Sequence, residues 1–70
     1  MKRQFIGRKI LKIVVTYMDG STEQYDDRKV LDYSDSELII NTNWEEYGIS
    51  HQQTSVVPLL NVKEIMFKES

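Results

Sequence analysis

The residues of this chain that could carry acid–base chemistry lie close together in the sequence. His51 is the only histidine, and Glu45 and Glu46 precede it by a few residues. A histidine oriented by a carboxylate can act as a general base. Catalysis would also need a nucleophile, a phosphate-binding loop or a metal cluster, and no such group accompanies His51 in the sequence. We therefore expect no enzymatic activity.

Metal binding is not expected either. With no cysteine and one histidine, the chain lacks the ligands of a tetrahedral zinc site. The acid pairs Asp26–Asp27 and Glu45–Glu46 each consist of neighbours in sequence. Because adjacent strand residues point to opposite faces, neither pair makes a shared cation site. The sequence implies no cofactor.

Binding is the chemistry that the remaining candidates could perform. Trp44 is the only tryptophan, and Tyr47 and His51 lie near it. An exposed tryptophan beside a tyrosine could anchor a protein partner or stack on a base. Alternatively, Trp44 folds back and plugs one end of a small core. The sequence does not decide between these two roles.

The charge layout supplies a second candidate site. Residues 1–18 contain five lysines and arginines and no acid, whereas residues 19–46 contain nine acids and two basic residues. The cations could bind phosphate, remain solvated, or meet the acidic middle of another copy. The dense acids would repel a nucleic acid, which slightly favours the third interpretation. The basic N-terminal arm, residues 1–9, contributes the candidate binding residues Lys2, Arg3, Arg8 and Lys9.

Length and composition limit the class of protein. Residues 1–70 form a single domain, near the lower size limit for folding without disulfides or metals. A chain this short buries only about 60% of its unfolded surface, so burial between subunits could add stability. No apolar run approaches the length of a membrane span or a signal peptide, and the absence of cysteine fits a reducing compartment. We expect a cytoplasmic protein.

Strand patterns must position the candidate residues. β-Branched residues and period-two alternation predict an antiparallel meander, with a tight turn at Asp19–Gly20 and a polar turn at 34–37. Residues 42–53 show no sustained period, which predicts a long loop or a distorted hairpin tip. Phe5 and Ile6 could form a strand or one helical turn, and an extended segment is preferred. The predicted strands are 10–17, 21–27, 29–33, 38–41, 55–58 and 62–67, and residues 26–29 either continue the second strand through a bend or loop over to the third.

Pro58 predicts a corner before the last strand. Proline has no amide proton and a fixed φ, which argues against a continuous central strand at this point. Leu59 to Asn61 then fit a one-turn 3-10 linker.

The apolar residues exceed what one small core can hold. Those left on the outer faces would expose more apolar surface than a monomer of this size usually does, which predicts a homo-oligomer. The expected outward residues are Ile10, Val14, Ile39, Val56 and Met66. The predicted core consists of Leu11, Ile13, Val15, Tyr17, Leu31, Tyr33, Leu38, Ile40, Val57, Leu60, Val62, Ile65 and Phe67.

The order of these patterns resembles the small Sm-like and SH3-like β-barrels. KIVVTYMDGSTEQY is similar to the first hairpin of Sm-like proteins, VLDYSDSELII to their first motif and SVVPLLNVKEI to their second. The resemblance implies an all-β, five-stranded antiparallel barrel with a one-turn 3-10 linker before the last strand, and ring-like assembly. It implies no RNA site, because Asp35-Ser36-Glu37 stands where the family has its base-recognising asparagine and no Arg-Gly precedes Val56.

We expect a non-enzymatic interaction module that self-associates. One alternative is nucleic-acid or nucleotide binding through the basic N-terminal arm and the Trp44 loop. Another is a small inhibitor or adaptor, of a kind that a phage could encode, with an acidic protein-binding face. The candidate binding residues are Lys2, Arg3, Arg8, Lys9, Trp44, Tyr47 and His51.

Overall fold

Five antiparallel strands in one sheet make up most of the chain. The structure, a computed structural model, describes residues 3–69. The strands lie in the order β4-β3-β2-β1-β5. Within the described residues, no helix is long and apolar enough to cross a membrane. The elements are a 3-10 helix at Arg3–Phe5, β1 at Lys9–Tyr17, β2 at Thr22–Tyr33, β3 at Glu37–Glu46, β4 at Ile49–Pro58 and β5 at Val62–Lys68.

The two predicted turns are confirmed. At the first, Tyr17 N–H donates to Ser21 O at 2.8 Å, and Gly20 adopts φ 90°, which a glycine tolerates without a Cβ clash. At the second, Ser34 N–H donates to Glu37 O at 3.0 Å. Both turns join neighbouring strands, so the first three strands form the predicted meander.

Of the two alternatives expected for residues 42–53, the long loop is wrong, whereas a hairpin is present and its tip is regular. β3 and β4 continue through this segment in unbroken register up to Glu46 and Ile49. A two-residue turn, Tyr47–Gly48, joins them, with φ 53° and 76°. Positive φ at both positions matches the type I′ turn of tight hairpins. The strands were missed because most side chains here are exposed on both faces, so no apolar alternation marks them.

The corner at Pro58 is confirmed. Pro58 is the last residue of β4, opposite Glu37, and β5 begins at Val62. Val62 N–H donates to Leu59 O at 3.2 Å, which closes a single turn with the bond pattern of a 3-10 turn. This turn is not itself a 3-10 helix. The 3-10 helix of the described residues lies at Arg3–Phe5.

The prediction of an extended N-terminal segment is therefore wrong. The 3-10 helix places Phe5 against the end of the core. Its ring stacks on Phe67 with a centroid distance of 4.1 Å, and Tyr33 lies 6.2 Å away. Packing of three aromatic rings outweighs the weak local preference for an extended chain.

The core lies on one face of the sheet. A flat single sheet would leave that face in water, so the sheet must bend around its own apolar side chains to bury them. β4 and β5 nevertheless remain the two edges and are not paired with each other, so the sheet is not closed into a barrel. The buried apolar residues are Ile10, Ile13, Val15, Val30, Tyr33, Leu38, Ile40 and Val57.

Three predicted core residues are wrong, because Leu11, Leu31 and Leu60 are exposed. Leu60 lies in the corner and is 88% exposed, whereas its neighbour Leu59 packs against the core. In β2 the pairing with β3 shifts between Val30 and Asp32, which leaves Leu31 as an extra residue. The bulge keeps Val30 and Tyr33 on the core face although three positions separate them, and it leaves Leu31 exposed.

A second change in the alternation buries Ile10 and exposes Leu11. Ile10 and Ile13 are both buried, although three positions separate them. The register of β1 with β2 places Leu11 at the level of Asp27, which has a left-handed φ of 53°. The regular alternation of inward and outward side chains is therefore interrupted at this level. The sequence pattern assumed straight strands and placed Ile10 outside, which is wrong.

Candidate interaction site

The distal half of the β3–β4 hairpin projects beyond the rest of the sheet. β2 pairs with β3 only from Leu38 to Asn41, whereas β3 pairs with β4 as far as the turn. We call residues 42–53 the hairpin extension. It contributes to the elongated shape of the molecule, which measures 40 × 25 × 21 Å. In the described part of the chain, the strands of the extension pair only with each other.

Trp44 and His51 form the centre of the extension. They lie opposite each other in the ladder, and their rings stack with centroids 5.3 Å apart and planes 17° apart. Trp44 remains 42% exposed and does not belong to the core cluster. Trp44 is therefore not a plug for the core.

Tyr47 occupies the tip of the extension in an unfavourable backbone conformation. Its side chain is 95% exposed, and its φ of 53° lies in the left-handed region. For a residue other than glycine, asparagine or aspartate, this backbone conformation costs about 1–2 kcal/mol. The exposed side chain of Ile49 follows directly after the turn. The tip thus presents apolar surface where a hairpin of this type normally carries asparagine and glycine.

A shallow groove of about 600 Å³ runs along the extension. Glu45 lines it, Glu46 is exposed nearby, and the sequence has no lysine or arginine between Lys29 and Lys63. The surface is therefore aromatic and acidic. The groove is lined by Asn43, Trp44, Glu45, Ser50, His51 and Gln52.

The basic candidates lie elsewhere. Arg3 is exposed on the 3-10 helix, and Arg8 donates from Nη2 to Glu69 Oε2 at 2.9 Å. Lys9 on β1 faces Lys29 on β2. Lys2 lies outside the described residues. β2 lies between β1, which carries Lys9, and β3, which carries Trp44. The basic candidates and the aromatic candidates therefore form two separate groups.

A cluster around Glu23 was missed by sequence reasoning. Tyr17 Oη donates to Glu23 Oε1 at 3.0 Å, and Tyr25 Oη donates to Glu23 Oε2 at 2.7 Å. Desolvation and the neighbouring Glu23 raise the pKa of Tyr25 to about 12 and also raise the pKa of Tyr17. The same two hydrogen bonds lower the pKa of Glu23. The tight turn at Asp19–Gly20 was a usable signal, since it sets the register of β1 and β2.

The cluster continues to the base of the hairpin extension. The Arg28 guanidinium lies 5.8 Å from the centre of the Tyr25 ring and donates to Thr42 Oγ1. With a pKa near 12, Tyr25 remains a hydrogen-bond donor at neutral pH and cannot serve as a base. These contacts tie β2 to the first residue of the extension. They support its position.

Residues 3–69 contain no group of three or more histidine, cysteine, aspartate or glutamate side chains arranged to hold a metal ion. Comparison of the chain with models of protein families, with curated proteins and with solved structures finds no match.

Proposed function

We propose that this chain is a non-enzymatic interaction module that self-associates by pairing the β4 edge of one copy with the β5 edge of another. The observation that carries this proposal is the open, uncharged edge of β4. Its ten residues, Ile49–Pro58, include no lysine, arginine, aspartate or glutamate. Natural edge strands usually carry such charges to prevent pairing with other chains.

Half of the β4 backbone groups are available for this pairing. In an antiparallel ladder, residues alternate between bonding their partner strand and pointing away from it. Glu46 and Ile49 flank the two-residue turn and form the first hydrogen-bonded pair of the ladder. At the other end, Leu59 N–H donates to Ser36 O at 3.0 Å, which fits the same alternation. The residues whose backbone groups point to the free edge are therefore Ser50, Gln52, Thr54 and Val56.

Charge favours a head-to-tail arrangement. β3 and β4 together carry three glutamates and no lysine or arginine. β1 and β5 together carry four lysines and one glutamate. Opposite potentials on the two sides of the sheet orient one copy against the next. A head-to-tail contact of this kind produces a ring or a filament.

Apolar surface at both edges supports the same contact. Val56 on β4 is 54% exposed, and Met66 on β5 is 55% exposed. Val56 is paired with Ile39, and Met66 with Val14, so both belong to the outer face of the sheet. Pairing of the two edges would bring these side chains together on one face and remove apolar area from water.

We also propose that the bent sheet is a partly open barrel of the Sm-like or SH3-like kind. The strand order, the core on the inner face and the turn after Pro58 support this assignment. The absence of cysteine in the sequence supports a role in the cytoplasm.

The test is the molar mass of the protein in solution, measured by light scattering after size-exclusion chromatography. The wild type should have a mass that is a multiple of 8.3 kDa and falls as salt rises. Thr54→Pro removes an N–H donor that points to the free edge, and edge strands tolerate proline. This variant should be monomeric and folded by near-ultraviolet circular dichroism.

Thr54→Val is the matched control, because it keeps the N–H group and the shape of the side chain. It should retain the wild-type mass. A wild-type protein that is monomeric at its highest soluble concentration contradicts self-association. A compact dimer at every concentration contradicts the head-to-tail arrangement.

A further inference from the structure

We propose that the hairpin extension is a docking site for an arginine-rich segment of a partner protein. Trp44 and Tyr47 form the contact surface, and Glu45 and Glu46 supply the opposing charge. This site lies beyond self-association, because it does not require a second copy of the chain.

The first argument is the exposure and support of the aromatic rings. His51 stacks on the Trp44 indole and holds it in place, while 42% of the Trp44 side chain stays in solvent. Tyr47 lies at the turn three residues along the chain, almost fully exposed. A planar guanidinium stacks favourably on such rings, and arginine does so more often than lysine. A pre-oriented ring loses little entropy when it binds.

The second argument is charge. Glu45 and Glu46 lie between the two aromatic residues in sequence, and both are exposed. Because side chains alternate along β3, Glu46 shares the face of Trp44 and Glu45 lies on the other face of the two-stranded extension, so an arginine on either face meets a carboxylate. A carboxylate accepts two hydrogen bonds from one guanidinium, so these glutamates complement arginine in geometry as well as in charge. The same carboxylates repel the phosphates of a nucleic acid. Among the macromolecules that stack on aromatic rings, a cationic protein segment therefore fits this surface better than RNA or DNA.

The third argument is the backbone of Tyr47. Its left-handed φ is a conformation that asparagine or glycine adopts at lower cost. Tyr47 is not a member of the core cluster and is not packed against it. The unfavourable residue therefore contributes nothing to the core. An exposed tyrosine at this turn is explained by a contact that its ring makes with another molecule.

Fluorescence of Trp44, the only tryptophan, provides a direct test. The probe is a peptide of alternating arginine and serine, which has no fluorescence of its own at the wavelengths used. We expect a saturable change in emission that weakens as salt rises. The matched peptide of alternating lysine and serine should bind more weakly. Glu45→Gln with Glu46→Gln should weaken binding of the arginine peptide about tenfold.

A charge-matched control separates docking from general attraction to an acidic protein. Asp26→Asn with Asp27→Asn removes the same two charges from β2, and asparagine tolerates the left-handed φ of position 27. This variant should bind the peptide within about twofold of the wild type. Equal weakening in the two double variants would overturn the proposal, as would the absence of a saturable change.

Two further measurements identify the partner class and the role of the tip. A single-stranded oligothymidine that binds more tightly than the arginine peptide at low salt would overturn the proposal in favour of a nucleic-acid site. Tyr47→Asn should weaken peptide binding and raise the midpoint of thermal unfolding, a combination that a purely structural tyrosine would not show. Thr54→Pro should retain peptide binding, so this site and self-association can fail independently.

Discussion

Trp44 and His51 lie directly opposite each other on β3 and β4, and their rings stack 5.3 Å apart at an angle of 17°. This contact lies in the hairpin extension, where no other strand among residues 3–69 pairs with the two strands. Isolated two-stranded hairpins are only marginally stable in water. The stack therefore contributes to order in a segment that the core does not support.

Removing the imidazole should loosen the extension and leave the core intact. For His51→Ala we expect a loss of about 0.5–1 kcal/mol from the cross-strand pair. Amide hydrogen exchange measures the effect, with rates in residues 42–53 rising about two- to fivefold. Rates at Ile13 and Val15 should not change. Equal acceleration in both regions would show that the extension unfolds only together with the core.

Relief of the left-handed backbone at Tyr47 should stabilise the protein. We expect Tyr47→Asn to raise the free energy of unfolding by about 1 kcal/mol, measured by denaturant titration. Tyr47→Ala is the control, since it removes the same ring but keeps a residue that disfavours positive φ. A gain of the same size in both variants would mean that the ring, and not the backbone, is the source of the cost.

Because of the bulge in β2, we expect substitutions at two adjacent residues to differ in their effect on the free energy of unfolding. Val30→Thr replaces a buried methyl group with a hydroxyl and should cost about 1–3 kcal/mol. Leu31→Thr should change the free energy of unfolding by less than about 0.5 kcal/mol, because Leu31 is exposed. Thermal and denaturant unfolding of both variants measure the difference. If Leu31→Thr were the more damaging change, the bulge would be misplaced.

The cluster around Glu23 should produce a dependence of stability on alkaline pH. The pKa of Tyr25 rises from its usual value of 10 to about 12 in the folded chain, so folding favours the protonated phenol. This contribution is complete below pH 10 and is lost as the pH rises through 12. The free energy of unfolding should therefore fall between these two pH values.

Tyr25→Phe should make that decline shallower and remove the contribution of one tyrosine to the late rise of tyrosinate absorbance near 295 nm. The same substitution removes the largest cause of the lowered pKa of Glu23, which should rise towards its usual value. Nuclear magnetic resonance titration of the Glu23 carboxylate checks this. If the absorbance lost in this variant belonged to the step near pH 10, the pKa of Tyr25 would not be raised in the folded chain, and an unchanged Glu23 titration would mean that Tyr25 does not donate to Glu23 in solution.

Local chemistry made several features of the fold predictable. Asp19–Gly20 and Pro58 place a turn and a strand end through their own backbone preferences, whatever surrounds them. The hairpin extension was not predictable as two strands, because polar residues exposed on both faces leave no alternation to detect. Trp44, Tyr47 and His51 were identified as a group from their spacing. Their arrangement depends on the register of β3 and β4, which the turn at Tyr47–Gly48 sets. Tyrosine is rarely found in such a turn, so the sequence did not indicate it.

The sequence by itself determined the all-β class, the antiparallel meander, the corner after Pro58 and the division of charge, since each depends on a residue's own preferences or on simple alternation. Only the tertiary structure decided which apolar residues fill the core and where Trp44 lies. The left-handed φ of Asp27 and the bulge at Leu31 interrupt the alternation, and such irregularities depend on how neighbouring strands pair. Trp44 is on the surface because β2 stops pairing with β3 at Asn41, a long-range relation that no local pattern contains.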